Sequence, residues 1–316
     1  MTEVLPFPSV LSEPPLCQRL GGLESYLLAR IIGQDDAIHR VAGAGVDAEL
    51  GLNDVGPRPK GAWLLMGPTG VGKTETSKGF ASFLGVKLAM LFMNEFQFQR
   101  PDLVADFVAW IRRARKESPD GTVLLFDEIE KAHPAIIDIL LSLLDEGQVS
   151  DGNERIQLGN CYVILTSNVG SKKFAQMEDS TYSVMEQFAF EAARRELRPE
   201  LFARLTETIV YRPLSQDVQI KILNQMCARK LEHLRQTICK HLGLNLGKVP
   251  SLSIDNKGVH AHLLRAGFSN TGGARRLRQE LDRQFNRAVR PWLLDGRAPV
   301  DWRFTADPRR NCLVLL

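Results

Sequence analysis

Short apolar runs alternate along the chain with stretches of helical spacing. Between about residues 21 and 212 we predict strands at 62–66, 86–92, 123–126 and 162–165. The segments between them carry apolar residues at every third or fourth position, the spacing of an amphipathic helix. Strands separated by helices predict an α/β fold built on a parallel sheet.

Beyond Arg212 the pattern is dominated by helices. Pro213 marks a boundary, and Ser215 can cap a helix that ends near Gly243. Two more helices are predicted around residues 259–264 and 274–294, followed by a terminal strand at 312–316.

These patterns divide the chain into three parts. We predict an irregular, proline-rich arm over residues 1–20, a large α/β subdomain over 21–212 and a small, mostly helical subdomain over 213–316. Within the large subdomain, the glutamines and lysines of residues 171–187 indicate an exposed connection.

A glycine-rich loop lies between the first predicted strand and the helix that runs from Lys73 to Leu84. It reads Gly67, Pro68, Thr69, Gly70, Val71, Gly72, Lys73 and Thr74, the G-x-x-x-x-G-K-T pattern of a phosphate-binding loop. Glycines let successive N–H groups curl around a phosphate, and the helix N-terminus adds partial positive charge. In this pattern the lysine contacts the β- and γ-phosphates and the threonine hydroxyl binds Mg²⁺. The loop therefore predicts a magnesium–nucleotide site.

Polar residues follow two later strands of the predicted sheet. Asp127 and Glu128 end one strand, and Asn168 ends the next. Ligands of open α/β sheets bind at the carboxyl ends of the strands. Asp127 suits the Mg²⁺ shell, whereas Glu128 suits the orientation and deprotonation of an attacking water. The Asn168 amide can lie beside the γ-phosphate and hold the same water.

Two arginines are candidates for contacting the charge that develops during phosphoryl transfer. Arg204 lies late in the large subdomain, and Arg275 lies at the start of a helix in the small one. Guanidinium groups that meet this charge are supplied either within the chain or by a neighbouring subunit.

Composition excludes several other classes of protein. The net charge of +3 is too small to indicate nucleic-acid binding by itself. The five cysteines form no C-x-x-C pair, so neither a zinc site nor a disulfide framework is indicated and a cytoplasmic location is expected. No apolar run approaches the ~18 residues of a membrane span, and the N-terminus lacks a signal-peptide pattern.

Together the motifs resemble the AAA+ ATPases of the Clp type, and most of all the second ATPase module of the Clp unfoldases and disaggregases. The resemblance runs from about residue 28 to the C-terminus. It rests on six motifs in order: residues 31–35, 67–74, 127–134, 166–171, 198–200 and 273–275. It implies an AAA+ P-loop NTPase fold with a parallel-sheet large subdomain, a helical lid and ATP bound between them. It also implies a ring, usually a hexamer.

The resemblance implies a role for each matching residue. Lys73 and Thr74 correspond to Walker A, Asp127 and Glu128 to Walker B, and Asn168 to sensor 1. Arg204 corresponds to the finger acting in trans, and Arg275 to sensor 2 acting in cis. Ile31 and Ile32 would border the adenine. The implied cofactors are ATP and Mg²⁺, and an active ATPase is expected.

Two loops of the family pattern are missing from this sequence, one that grips the substrate and one that docks on the peptidase. The Gly-Tyr-Val-Gly pore loop is absent, because residues 93–100 run almost directly into the helix at Asp102. Phe96 or Phe98 could substitute for it, although the simpler interpretation packs Phe96 in the core. A second pore loop around residues 146–153 is present. Residues 170–197 lack the loop that docks on the Clp peptidase.

The leading hypothesis is therefore a ring-forming ATPase that remodels or helps to assemble a protein partner, which the sequence does not identify. One alternative is an unfoldase that threads chains past Phe96, Phe98 or residues near Gln148. Another is a nucleotide-dependent switch or scaffold with little turnover. A weaker alternative is nucleic-acid binding through six arginines of the C-terminal helix, which we expect instead to be catalytic, solvated or subunit-facing: Arg275, Arg276, Arg278, Arg283, Arg287 and Arg290.

Overall fold

The computed structural model describes residues 16–53, 56–151, 154–174, 177, 180–248, 251–267, 273–299, 302–307, 309 and 311–316. Within them, the strands are β1 (Gly61–Met66), β2 (Lys87–Phe92), β3 (Thr122–Asp127), β4 (Gln148–Asp151), β5 (Glu154–Gln157), β6 (Cys161–Ser167), β7 (Glu207–Val210), β8 (Ser253–Ile254), β9 (Arg303–Asp307) and β10 (Cys312–Leu315). The α-helices are α1 (Leu16–Leu20), α2 (Leu23–Leu28), α3 (Asp35–Glu49), α4 (Lys73–Leu84), α5 (Leu103–Glu117), α6 (Pro134–Glu146), α7 (Ser171–Phe174), α8 (Tyr182–Glu196), α9 (Pro199–Phe202), α10 (Gln216–Leu242), α11 (Asn256–Gly267) and α12 (Gly273–Asp295).

A five-stranded parallel sheet in the order β2–β3–β6–β1–β7 forms the centre of the large α/β part. Every residue of β1, β3 and β6 is buried, because helices cover both faces of the sheet. Successive residues of β1 pack on opposite faces of the sheet. Leu64 packs in the cluster that contains α5 and α6, whereas Trp63 packs with α3 and α4. This order brings the carboxyl ends of β1, β3 and β6 side by side.

The main helices begin and end close to their predicted bounds. Helix α4 ends at Gly85 and α6 at Gly147, both with left-handed backbone (φ 72° and 62°). The Ser215 hydroxyl accepts a hydrogen bond from the Val218 amide at 3.4 Å, so it caps α10 as predicted. Helix α10 then ends at Gly243 with φ 66°.

Two predictions about irregular segments were wrong. Residues 16–20 of the predicted arm form α1, and Leu20 is buried there; residues 1–15 lie outside the described part. The predicted connection at 171–187 contains α7 and the start of α8. Their side chains Phe174 and Met185 are fully buried, so a core contact outweighs the polar composition of the segment.

The C-terminal part has a hydrophobic core of its own, built from α10, α11, α12 and a small sheet. That sheet has the order β10–β9–β8. The terminal strand was predicted, but β8 and β9 were not: β8 has two residues, and Phe304 is the one fully buried side chain of β9. Among the helices that the structure describes, none is both long and apolar enough to cross a membrane.

Candidate nucleotide-binding site

The glycine loop has a backbone conformation that only glycine adopts without strain. Gly67, Gly70 and Gly72 have φ values of 141°, 77° and 117°. A Cβ atom on Gly67 would lie 2.6 Å from the carbonyl oxygen of Tyr211, so a larger residue would also collide with the neighbouring backbone. These glycines therefore fix the path of the loop between β1 and the N-terminus of α4.

Lys73 is buried at the base of this loop. Its ammonium group donates to the carbonyl oxygens of Gly67 (2.6 Å) and Pro68 (2.8 Å) and to Oδ1 of Asn168 (2.8 Å). Burial lowers the pKa of Lys73 to about 7, against the opposing effect of nearby Glu130 and Asp127. A lysine whose pKa is lowered by burial therefore lies beside the loop.

The predicted magnesium ligands lie next to each other. The Thr74 hydroxyl is 3.4 Å from Oδ1 of Asp127, and the Thr166 hydroxyl donates to the same oxygen at 2.7 Å. In the described part of the chain no three His, Cys, Asp or Glu residues group as a metal site. One hydroxyl and one carboxylate fit Mg²⁺, which usually takes one or two protein ligands and completes its shell with phosphates and waters.

Glu128 is held in a strained conformation beside Asn168. Its φ and ψ are 61° and 59°, the left-handed region that residues other than glycine rarely adopt. The Asn168 side-chain amide donates to Oε1 of Glu128 at 2.8 Å, and the Glu128 amide donates to the Thr166 hydroxyl at 3.0 Å. Strained residues of this kind cluster at functional sites, which is consistent with the predicted role of Glu128.

The C-terminal part supplies the opposite wall of the cleft. Arg275, at the start of α12, lines the cleft together with Ile31 and Ile32, and the Ala274 amide donates to the Gly70 carbonyl at 3.2 Å. Ile31 is buried and packs against Gly72. Thr69, Gly70, Val71, Gly72, Lys73, Thr74, Asp127, Glu128 and Asn168 also line the cleft. Gly67 and Pro68 do not line it and instead supply the carbonyl oxygens that bind Lys73.

Arg204, another predicted site residue, lies away from the cleft of its own chain. Its Nε donates to Asp145 at 2.5 Å, and another guanidinium nitrogen donates to the Glu200 carbonyl at 2.7 Å. An active role for Arg204 therefore requires a different site, such as that of a second copy.

Several residues at the site carried no specific role in the sequence predictions. Thr166 bridges Asp127 and Glu128, and Glu130 accepts a hydrogen bond at Oε1 from the backbone amide of Asn168 at 3.0 Å. The buried Gln34 side chain exchanges two hydrogen bonds with the backbone of Arg212, both 2.9 Å long, at the predicted boundary. Arg30, Gln225, Arg229 and Arg278 also line the cleft. The positions of these residues depend on contacts between segments far apart in the sequence, which no local sequence pattern predicts.

Comparison with known proteins gives matches to one kind of protein. A family model described as "AAA domain (Cdc48 subfamily)" matches residues 58–208. The chaperone protein ClpB 1 of Synechococcus elongatus is 32% identical over 295 residues, which cover 88% of this chain and 32% of that protein. ClpB of Vibrio vulnificus is 32% identical over 301 residues, covering 88% and 33%. The chain thus spans about a third of the length of these curated relatives.

A solved structure extends the likeness to nearly the whole chain. The S. cerevisiae Hsp104–ADP complex superposes with a TM-score of 0.75 at 23% identity, over 96% of this chain and 53% of that one. At this identity the likeness shows a shared fold. Together with the parallel sheet, it confirms the predicted α/β P-loop architecture.

Proposed function

Because the chain belongs to the Clp-type AAA+ ATPases, we propose that it binds ATP with Mg²⁺ in this cleft and uses hydrolysis to remodel or assemble a protein partner. The relatives are named chaperone proteins, which supports a protein as the partner. A ring, usually a hexamer in this family, and a cytoplasmic location belong to the same proposal.

One observation carries the proposal: Lys73, Asn168 and Glu128 form a continuous hydrogen-bonded chain beside the glycine loop. We propose that Lys73 exchanges its loop acceptors for nucleotide phosphates. Glu128 then accepts a proton from the attacking water, while Asn168 orients the Glu128 carboxylate. Mg²⁺ held by Thr74 and Asp127 would neutralise charge on the phosphates. Arg275 would meet the phosphates from the lid, and Arg204 would act on a neighbouring copy.

ATP binding should be accompanied by proton uptake at pH 8. Burial lowers the pKa of Lys73 to about 7 in the free protein, so a fraction of the chains carries a neutral amine at pH 8. Adjacent phosphates favour the charged ammonium and raise this pKa, so the amine is protonated on binding. At pH values well below 7, Lys73 is charged in both states and its contribution disappears. Calorimetry at pH 8 in buffers of different ionisation enthalpy measures the uptake directly.

The control for proton uptake is Lys73→Arg. A guanidinium stays charged at pH 8, so this variant should bind ATP without the uptake, at protein concentrations high enough to reach saturation. Binding by the unmodified protein without proton uptake, or equal uptake by the Arg variant, would show that Lys73 is not the group that titrates.

The exposure of Phe98 favours a second candidate function, the threading of unfolded polypeptide. Phe98 is 75% exposed, whereas Phe96 is 5% exposed and its ring packs 5.7 Å from that of Phe107. Phe96 is therefore a core residue, and Phe98 is the aromatic side chain of this segment that can contact a substrate. An exposed aromatic ring gives contact area to any apolar chain at small cost in conformational entropy.

Capture with a Glu128→Gln variant, which should bind ATP without cleaving it, distinguishes the two functions. The leading proposal predicts one or two defined partners in fixed ratio, retained when Phe98→Ala is added. Threading predicts a broad set of polypeptides that falls roughly tenfold with Phe98→Ala, the scale of losing one aromatic anchor. Leu294→Ala, at an equally exposed apolar residue on the lid, is the matched control. No ATP-dependent capture at all would contradict both proposals.

A further inference from the structure

Charge is unevenly divided between the two parts of the chain. Residues 213–316 contain 18 Lys and Arg against 8 Asp and Glu, a formal charge of +10, whereas residues 1–212 contain 22 against 29, a charge of −7. The small net charge of the whole chain conceals this division. A strongly basic unit of this size attracts polyanions.

The basic residues of α12 are sorted between its two sides. One side packs in the lid core through Leu277, Leu281, Phe285 and Val289. The opposite side is exposed over nearly four turns and is formed by six polar residues: Arg276, Gln279, Arg283, Asn286, Arg287 and Arg290. Glu280 borders this face, the α12 arginine face, and pairs with Arg283. At 1.5 Å per residue the face is about 21 Å long.

Most of these arginines have no partner in the described part of the chain. Arg276, Arg287 and Arg290 make no ion pair or hydrogen bond there, and only Arg283 is paired, with Glu280 at 2.8 Å. Arg275 and Arg278 differ from them because they line the nucleotide cleft. The face therefore holds cations that neither the fold nor the proposed ATPase chemistry uses.

We propose that the α12 arginine face binds duplex DNA. Guanidinium groups bind phosphates bidentately, and the Gln279 and Asn286 amides can bind both phosphates and base edges. A single helix fits the major groove of B-DNA, whereas that of duplex RNA is too narrow. The face has no aromatic residue on which the bases of a single strand could stack. An acidic protein would also match the charge, and competition by polyglutamate distinguishes it from DNA.

Fluorescence anisotropy with a labelled duplex of about 20 base pairs, which is two turns of B-DNA, tests the proposal. The titration is done without nucleotide, so its outcome does not depend on ATPase activity. Four arginines on phosphates predict that log K falls with log salt with a slope between about −3 and −4. The triple variant R276Q/R287Q/R290Q should lower the size of this slope by about 3. It should also weaken binding at low salt by at least about tenfold.

Two matched variants separate the contribution of the α12 arginine face to DNA binding from that of the overall charge. K221Q/K240Q/R265Q removes the same charge from other exposed positions of the lid and should leave most of the slope intact. R276K/R287K/R290K keeps the charge and should retain the salt dependence. If the triple Gln variant is unfolded by circular dichroism, the single variants R287Q and R290Q carry the test, and each should lower the slope by about 1.

The proposal would be overturned by no salt-dependent binding of duplex DNA by the unmodified protein, by equal binding by the triple Gln variant, or by equal competition by polyglutamate. The last result would assign the face to an acidic protein. Stronger binding of single-stranded DNA or of duplex RNA would likewise overturn the assignment to duplex DNA.

Discussion

Glu128→Gln should lower ATP turnover by about 10²- to 10⁴-fold while ATP still binds. A glutamine side chain has nearly the same size and can still accept the hydrogen bond that Asn168 donates to Oε1. It cannot accept a proton from water, and the loss of a general base costs turnover of this order. Phosphate release measures turnover, and a fluorescent ATP analogue measures binding in the same preparation.

The control is Glu191→Gln, a change of the same kind at an exposed carboxylate of α8. It should leave turnover within a few-fold of the unmodified protein, because surface substitutions away from special contacts have small effects. Normal turnover in the Glu128 variant would contradict its assignment as the base. Loss of binding along with turnover would instead assign Glu128 a structural role, such as holding Asn168.

Arg204→Ala should lower the turnover number by about 10³- to 10⁵-fold, the effect of removing an arginine finger. Arg204 bonds to Asp145 and the Glu200 carbonyl, outside the cleft of its own chain, so the loss is expected only if it serves a second copy. ATP binding should change little, because the guanidinium acts on charge that develops during transfer. Steady-state kinetics with a separate binding assay shows this difference.

The matched variants are Arg204→Lys and Asp145→Asn. Lysine lacks the planar fork and should remain strongly impaired. Asp145→Asn removes the ion pair but leaves Arg204 in place, so it should retain far more activity than Arg204→Ala. If both variants at position 204 turn over normally, Arg204 is a surface residue stabilised by Asp145.

Helix ends and strand-end residues could be predicted from the sequence where local chemistry decides the structure. Helices α4 and α6 end at Gly85 and Gly147 because left-handed caps favour glycine, so their ends could be read residue by residue. Asp127 and Asn168 could be predicted at one edge because parallel strands place their carboxyl ends together. These rules depend on neighbours in sequence or on a topology that the motifs already imply.

The rest depends on contacts between distant residues. No local pattern predicts that Thr166 bridges Asp127 and Glu128, that Gln34 binds the backbone of Arg212, or that the Glu128 backbone is left-handed. Residues 171–187 were predicted from their polar composition to be an exposed connection. Phe174 in this segment is nevertheless buried, because it packs in the core of the large subdomain. The roles of Arg204 and Arg275 stay predictions, since one depends on a second copy and the other on bound nucleotide.

The central claim is an ATP-hydrolysing site completed by a neighbouring copy, and a mixing experiment tests it most directly. Arg204→Ala chains keep Glu128, and Glu128→Gln chains keep Arg204, so a mixed ring contains sites in which the neighbour supplies the missing group. We predict that a one-to-one mixture of these two inactive variants regains phosphate release from about a quarter of its sites. A mixture no more active than its separate components would contradict the shared site. Failure of the unmodified protein both to bind and to hydrolyse ATP with Mg²⁺ would contradict the whole account.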